Sequence, residues 1–424
     1  MPAHDPAALG LSLPLWSVAP FAGLLLSIAL FPLFAPAAWA RHYAKVCLAF
    51  GAPVAGYFLR NAPAELLHTA LEYASFLVLL ASLFTISGGI LLRGTPRASP
   101  GVNAAFLGIG AILANVFGTT GASMLLIRPV LRANAHRRPR SHVVVFFIFV
   151  VANIGGALTP IGDPPLFLGY LRGVPFFWTL RAMWPVWAAA TGLVIGVFYI
   201  LDRRAFALAA AEGGQAGGGG AGRGGADRVP LSIAGAINLP LLGVVIGAVF
   251  LPTPWRELAM ASAAAVSVWK TPAKVREENE FTWYPIEEVA ILFAGIFATM
   301  IPALLILKAR GAQLGVSAPA HFFWATGALS SFLDNAPTYL TFFSLAQGLG
   351  GAQPVAGVSA PLLRAIGAGA VFMGANTYIG NAPNFMVKAI AEESGVRMPS
   401  FFGYMAWSCG ILLPVFVLLT LLFF

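Results

Sequence analysis

Two short segments of small and polar residues interrupt the apolar sequence, and they match each other. Gly156–Pro165 reads G-A-L-T-P-I-G-D-P-P, and Gly374–Pro383 reads G-A-N-T-Y-I-G-N-A-P, at an offset of 374 − 156 = 218 residues. Proline removes a helical hydrogen bond and glycine weakens a helix, so each segment is predicted to break one. The repeat indicates a chain built from two related halves.

The composition places these breaks inside a membrane protein. Of the 424 residues, 58% are hydrophobic and only 10% are charged, and the mean hydropathy is +0.82. Apolar runs of about 20 residues, the length that spans a bilayer, recur throughout, which predicts an all-α polytopic membrane protein. The net charge of +9 lies mostly in short loops, where basic residues set orientation, so we expect no nucleic-acid partner.

One apolar stretch, about 101–131, does not read as a single crossing. The polar segment Asn115–Gly121 interrupts it, and basic residues flank both of its ends. A single crossing would put one of these basic groups outside, against the usual cytoplasmic bias. We therefore predict a re-entrant hairpin whose tip stops at mid-membrane, where irregular backbone must be buried or line a cavity.

The remaining elements divide the chain into an N-terminal repeat, 1–204, a Gly-rich cytoplasmic linker, 205–230, and a C-terminal repeat, 231–424. Each repeat is predicted to hold three spans, a re-entrant hairpin, a broken helix and a final span. The predicted hairpins are 101–131 and 321–350, and the predicted broken helices are 142–172 and 361–391. The other predicted spans are 15–34, 43–59, 73–92, 182–201, 232–251, 255–269, 286–307 and 401–424. The second hairpin tip, Leu333–Thr338, aligns with the first by matching Asn335 to Asn115, an offset of 220.

Counting basic residues predicts the orientation. Most Lys and Arg residues become cytoplasmic if the inner loops are 41–45, 93–97, 132–140, 203–228, 270–276 and 388–397. Both termini then lie outside a cell inner membrane, and the two repeats are inverted. The first hairpin enters from the cytoplasm and the second from the opposite face.

Two acidic residues lie in the middle of predicted membrane elements, one in each half. An acid at this depth is costly, so Asp163 and Asp334 are the leading candidates for binding a cation or proton, with sodium as the metal that they would ligate. Neutral oxygens that suit a dehydrated cation surround them in sequence: Asn115, Thr119, Thr120, Ser123, Asn153, Thr159, Asn335, Thr338, Asn376, Thr377, Asn381 and Asn384. The alternative is that these side chains cap the half-helices. Burial favours a neutral acid and a bound cation favours a carboxylate, so proton and cation compete for the same group.

Other ionisable residues are predicted to have solvated roles. Glu72 lies at a predicted span end and His142 opens an element, so both are expected at the membrane–water interface.

At these motifs the sequence resembles the ion transporter superfamily, which includes NhaD-type sodium/proton antiporters, arsenite permeases, citrate carriers and divalent-anion/sodium symporters. Residues 153–163 and 333–337 carry the resemblance to the NhaD type. Two features depart from that type: Ala114 precedes Asn115 where an acid is typical, and Asn376-Thr377 is similar to the Asn-Thr sodium motifs of carboxylate symporters. The resemblance implies a homodimer with a scaffold domain and an elevator-like transport domain.

Three functions are consistent with these residues. The leading hypothesis is a secondary sodium/proton antiporter, with no catalytic residues and no cofactor besides the transported or coupling sodium ion. The alternative is a sodium- or proton-coupled symporter of citrate or a related dicarboxylate. A remote alternative, an intramembrane aspartyl protease, is disfavoured because Pro160 replaces the first glycine of a G-x-G-D motif and the hairpins have no role in that chemistry.

Overall fold

The computed structural model describes residues 6–94, 98–137, 140–215, 232–350 and 354–424. Its helices in the first half are α1 Pro6–Ser12, α2 Ala19–Phe34, α3 Pro36–Asn61, α4 Pro63–Ser87, α5 Pro100–Ala133, α6 Ser141–Val150, α7 Pro164–Leu171 and α8 Phe176–Gln215. The helices of the second half are α9 Asn238–Ala248, α10 Trp255–Lys270, α11 Ala273–Glu278, α12 Tyr284–Arg310, α13 Pro319–Ser330, α14 Asn335–Leu349, α15 Ala360–Met373, α16 Ala382–Glu393 and α17 Phe401–Phe423. Two strands, β1 Leu91–Arg93 and β2 Ser232–Ala234, form an antiparallel ribbon.

Long apolar helices dominate the described part of the chain. Within it, seven helical stretches are long and apolar enough to cross a membrane. The chain is therefore an all-α polytopic membrane protein, as the composition predicts.

The hairpin predicted at 101–131 is present within α5. Gly118 has φ +73° and ψ 159°, a conformation that glycine adopts readily and that separates two arms, 100–117 and 119–133. Asn103 and Asn134, 31 residues apart, exchange side-chain hydrogen bonds of 3.0 and 2.8 Å. A straight helix would hold them about 46 Å apart, so the arms fold back on each other.

The second hairpin consists of α13 and α14. Residues 331–334 separate the two helices, and the rings of Phe322 and Phe342 lie with centroids 6.2 Å apart across them. The two arms are therefore antiparallel, as the sequence predicts.

The two hairpins enter from opposite faces, and α12 shows this. Its 27 residues span about 40 Å. Just before it begins, Glu280 pairs with Arg128 near the base of the first hairpin. At its other end, the backbone of Lys308 packs against Gly348 at the base of the second hairpin. This is the arrangement that inverted repeats require.

The two broken helices are α6 with α7 and α15 with α16. A short 3-10 turn follows the first member of each pair, at Ile154–Leu158 and Gly374–Asn376. Residues 143–152 are fully buried, so α6 runs through the centre of the protein. The breaks therefore lie deep inside the fold.

Several predicted boundaries are wrong. The linker was predicted from residue 205, but 205–215 continue α8, since this Ala-rich segment favours helix; residues 216–230 of the linker lie outside the described residues. Positions 41–45, predicted as a loop, belong to α3. The span predicted at 232–251 is shorter, because 232–234 pair with β1 and α9 extends only about 16 Å.

Close backbone contact at the breaks requires glycine. A Cβ atom at Gly380 would lie 2.5 Å from the carbonyl oxygen of Gly374. In the first motif, a Cβ atom at Gly162 would likewise clash with the carbonyl oxygen of Gly156. We expect Gly380→Ala to lower the free energy of unfolding by about 1–3 kcal/mol, because backbone cannot move aside as a side chain can.

Thermal unfolding of the purified protein in detergent measures this effect. Gly243→Ala is the matched control, because a Cβ atom at this exposed position of α9 meets nothing within 4 Å. The control should be neutral or slightly stabilising. Equal unfolding temperatures for the two variants would contradict the predicted clash.

Candidate functional site

Asp163 lies where both hairpin tips and both broken helices meet. Only 1% of the residue is exposed. Its carboxylate accepts hydrogen bonds from Thr119 Oγ1 at 2.9 Å, Asn335 Nδ2 at 2.8 Å and Asn381 Nδ2 at 3.4 Å. These donors come from the first hairpin, the second hairpin and the second broken helix. Four motifs that lie far apart in sequence therefore converge on one acid.

A buried amide network joins the two broken helices beside this acid. Asn153 Nδ2 donates to Asn384 Oδ1 at 2.6 Å, and Asn381 Nδ2 donates to Asn153 Oδ1 at 3.2 Å. Asn384 also donates to the backbone carbonyl of Gly374 at 2.8 Å. The network holds the two breaks in register and supplies amide oxygens next to Asp163.

The two motif threonines fasten each broken helix to a hairpin. Thr159 Oγ1 donates to the carbonyl of Asn115 at 2.7 Å, and Thr377 Oγ1 donates to the carbonyl of Ser331 at 2.5 Å. Each threonine also accepts from the amide of the motif glycine three residues later, at 3.1 Å in both halves. These threonine side chains therefore form hydrogen bonds with backbone groups that the helix break leaves without helical partners.

These contacts set the register between the hairpin tips. Asn115 and Ser331 occupy equivalent positions in the two hairpins, because the carbonyl of each accepts from a motif threonine. The offset between them is 331 − 115 = 216. By the same offset Thr119 corresponds to Asn335, and both donate to Asp163. The sequence match of Asn335 to Asn115 is therefore wrong by four residues. Four residues are about one helical turn, so both alignments place a side chain on the same face of the helix. The match of one Asn to another selected the alignment that is shifted by one turn.

Asn115 and Asn376 brace the breaks rather than contact Asp163. Asn115 Nδ2 donates to the carbonyl of Gly155 at 2.7 Å and its Oδ1 accepts from the amide of Leu158 at 2.8 Å. Asn376 Nδ2 donates to Ser331 Oγ at 2.9 Å. The Asn376 Oδ1 atom is buried without a hydrogen-bond partner among the described residues, so it is free to accept from a ligand.

Asp334 has a local contact. Its half-buried side chain accepts from the amide of Ala336 at 3.0 Å and caps α14. Thr338 Oγ1 donates to the carbonyl of Asp334, one turn back in the same helix. The corrected offset pairs Asp334 with Gly118 rather than with Ala114. Thr120 is half-buried, next to Thr119 on the first hairpin.

Eight helix ends lie around the site. Four half-helices begin there, at Thr119, Pro164, Asn335 and Ala382. Four others end there, near residues 117, 150, 330 and 373. Helix N-termini carry partial positive charge and C-termini partial negative charge. The site can therefore stabilise an anion and a cation close together.

Two predictions about solvated charges are wrong. Glu72 is buried, because α4 begins at Pro63 and places it in mid-helix, and it pairs bidentately with Arg172 at 2.9 and 3.0 Å. His142 is also buried and lies 2.8 Å from Asp202, which binds Arg137 as well. The hydropathy pattern predicted that these residues lie at the ends of spans. Their partners are 60 to 100 residues away in sequence, and no sequence pattern indicates such pairs.

Comparisons with known proteins bear on the function of this site. A family model described as "Putative citrate transport" matches residues 10–424, nearly the whole chain. No curated protein matches the chain.

Proposed function

Since the chain belongs to the family described as "Putative citrate transport", whose members are secondary transporters, we propose that it carries citrate or a related carboxylate together with sodium or protons. The bilayer is its setting and the substrate is a small molecule. A transporter of this kind is not an enzyme, so the aspartyl-protease alternative does not apply. The sodium or proton is cargo or coupling ion rather than a resident cofactor.

The observation that carries the proposal is the convergence of one buried acid and four helix N-termini. Citrate and dicarboxylates are anions, and helix N-termini stabilise anions in a medium that excludes water. The amide groups of Asn335 and Asn381 can donate to substrate oxygens as they donate to Asp163.

Asp163 supplies the coupling in this proposal. A carboxylate substrate next to an ionised Asp163 would place two negative charges together in a buried site, which is strongly unfavourable. A proton or a sodium ion on Asp163 removes that repulsion. Asn153 Oδ1, Asn381 Oδ1 and the helix C-termini provide further oxygens for sodium. Cation binding therefore precedes anion binding, and the two move together.

Alternating access follows from the position of the acid between hairpins that enter from opposite faces. Exposing Asp163 to one face and then to the other needs a relative movement of the hairpin-bearing body against the remaining helices. The elevator-like movement and the homodimer that the family resemblance implies are part of this proposal.

Sodium/proton antiport is the second candidate, and the buried acid at the centre of the site, Asp163, favours it. Proton and sodium would compete for Asp163 and no anion would move. Family membership favours carboxylate transport over this reading.

Flux measurements in proteoliposomes separate the two functions. We expect labelled citrate to accumulate when an inward sodium or proton gradient is applied and to stop when that gradient is collapsed. Protein-free liposomes are the control. Sodium-driven dissipation of a preset pH gradient without citrate uptake would instead establish the antiporter and overturn the proposal.

A further inference from the structure

A cavity of about 370 Å³ lies at the base of the first hairpin, away from Asp163. Three arginines line it, Arg128 and Arg132 from the second arm of α5 and Arg140 from the following segment. Glu280, Glu393 and Ser394 also line it, so positive charge prevails by three to two. Ligand pockets have volumes of roughly 300–1,000 Å³, a range that includes this cavity.

We propose that this cavity is a second substrate site, a vestibule that binds a small polycarboxylate anion before it reaches, or after it leaves, Asp163. This inference rests on the proposed function. It assigns the carboxylate a separate station at the face from which the first hairpin enters.

The arginines keep donors available for such an anion. Arg128 Nη1 is buried without a hydrogen-bond partner among the described residues, while Nη2 of the same side chain pairs with Glu280 at 2.5 Å. Arg132 donates Nη2 to the backbone carbonyl of Leu92 at 2.7 Å. Arg140 donates Nη2 to the carbonyl of Ser394 at 2.9 Å and Nη1 to that of Asn134 at 3.5 Å, a weak contact. A buried guanidinium donor without a partner is costly, and a carboxylate satisfies it with a charge-assisted hydrogen bond.

The walls of the cavity lead to the central site. Thr119, which donates to Asp163, and Arg128 lie on the same arm of α5, nine residues or about 14 Å apart. Asn381, which also donates to Asp163, directly precedes α16, and α16 ends at Glu393 beside the cavity. The same two helices thus connect the cavity and the acid, as expected of a substrate route.

Glu280 occupies the place that the substrate would take. Its carboxylate pairs with Arg128, although 64% of the Glu280 side chain is exposed. An incoming polycarboxylate can therefore displace Glu280 from the guanidinium without leaving a buried charge behind. The vestibule predicts opposite effects for the two partners of this ion pair, whereas a merely structural pair predicts the same effect for both.

The test measures the KM for citrate added at each face of proteoliposomes made from neutral phosphatidylcholine. We expect Arg128→Gln to raise the KM at the cavity face about tenfold, the value of one charge-assisted hydrogen bond, and to leave the KM at the other face unchanged. Glu280→Gln should lower the KM at the cavity face severalfold. Arg93→Gln is the matched control, because Arg93 forms an exposed pair with Glu278 at the same end of the protein and does not line the cavity.

The outcomes are distinguishable. Arg128→Lys retains the charge and checks that a folded protein is compared, with thermal unfolding measured for every variant. Effects of the same sign in Arg128→Gln and Glu280→Gln, or an equal effect of Arg93→Gln, would overturn the vestibule while citrate transport stands. A KM difference that appears only when phosphatidylglycerol is added would assign the cavity to a lipid headgroup and also overturn it. Absence of citrate flux in the wild type would refute the proposed function, and the vestibule with it.

Discussion

Replacing Asp163 with Asn is expected to reduce gradient-driven citrate uptake by about 100-fold, because the site loses the acid to which Thr119, Asn335 and Asn381 all donate. Asn is nearly the same size, so packing is preserved. It cannot bind a proton at neutral pH and it binds sodium weakly, so the coupling ion has no place. Labelled citrate uptake under a sodium or proton gradient gives the measurement, and unfolding temperature shows that the variant is folded.

The internal symmetry offers a rescue of this variant. Asn381 is the counterpart of Asp163 in the second motif, since 381 − 163 = 218, and its Nδ2 lies 3.4 Å from the Asp163 carboxylate. Moving the acid across, in Asp163→Asn combined with Asn381→Asp, should restore at least about a tenth of the wild-type uptake, since an acid returns to the same space. Uptake by Asp163→Asn alone at the wild-type rate would refute the role of the acid.

The second large effect is expected at the buried ion pair of Glu72 and Arg172. Glu72→Gln should lower the free energy of unfolding by about 3–5 kcal/mol, because it leaves the mostly buried Arg172 side chain, 16% exposed, without its bidentate partner. Arg172 also donates to Ser344 of the second hairpin at 3.4 Å, a weak contact that does not compensate. Chemical or thermal unfolding in detergent measures the loss.

Two comparisons make this stability prediction specific. Glu392→Gln removes an exposed i,i+4 pair with Lys388 and should change the unfolding free energy by less than about 1 kcal/mol. Replacing both Glu72 and Arg172 with apolar residues should cost less than Glu72→Gln alone, since no buried charge remains. A loss at Glu72 no larger than that at Glu392 would show that the buried pair contributes little.

The fold was predictable where a local pattern sufficed. The duplicated break motif identified both broken helices, and the basic residues on either side of 101–131 predicted a hairpin that the Asn103–Asn134 hydrogen bonds confirm. The repeated motif is ten residues long, and the flanking basic residues lie next to the hairpin in sequence, so each signal is read from a short segment. Residues 205–215 were misassigned to the linker because the nearby glycines outweighed a run of alanines that favours helix.

The site was predictable in composition but not in pairing. Asp163, Thr119, Asn335 and Asn381 were all candidates, yet only the structure shows that these four make contact. The hairpin register was wrong by one turn because the match rested on one shared Asn. Whether each of the fourteen candidate residues binds a substrate or coupling ion stays a prediction.

The charges outside the site show a different limit. Glu72 and His142 lie in sequence contexts typical of an interface. Their burial depends on Arg172, which directly follows α7, and on Asp202 of α8. Hydropathy measures how apolar a segment is, but it contains no information about which helices become neighbours.

The correspondence of Asp163 with Asn381 has a consequence for the direction of transport. An identical pair of halves would place two acids 3.4 Å apart, which repel, or two amides, which cannot take up a proton. One acid and one amide avoid both outcomes, but they also remove the mirror relation between the two directions of the cycle. The acid, Asp163, belongs to the first repeat and has no acidic counterpart in the second. The free-energy profile of inward transport therefore differs from that of outward transport, although the two repeats are otherwise related by internal symmetry.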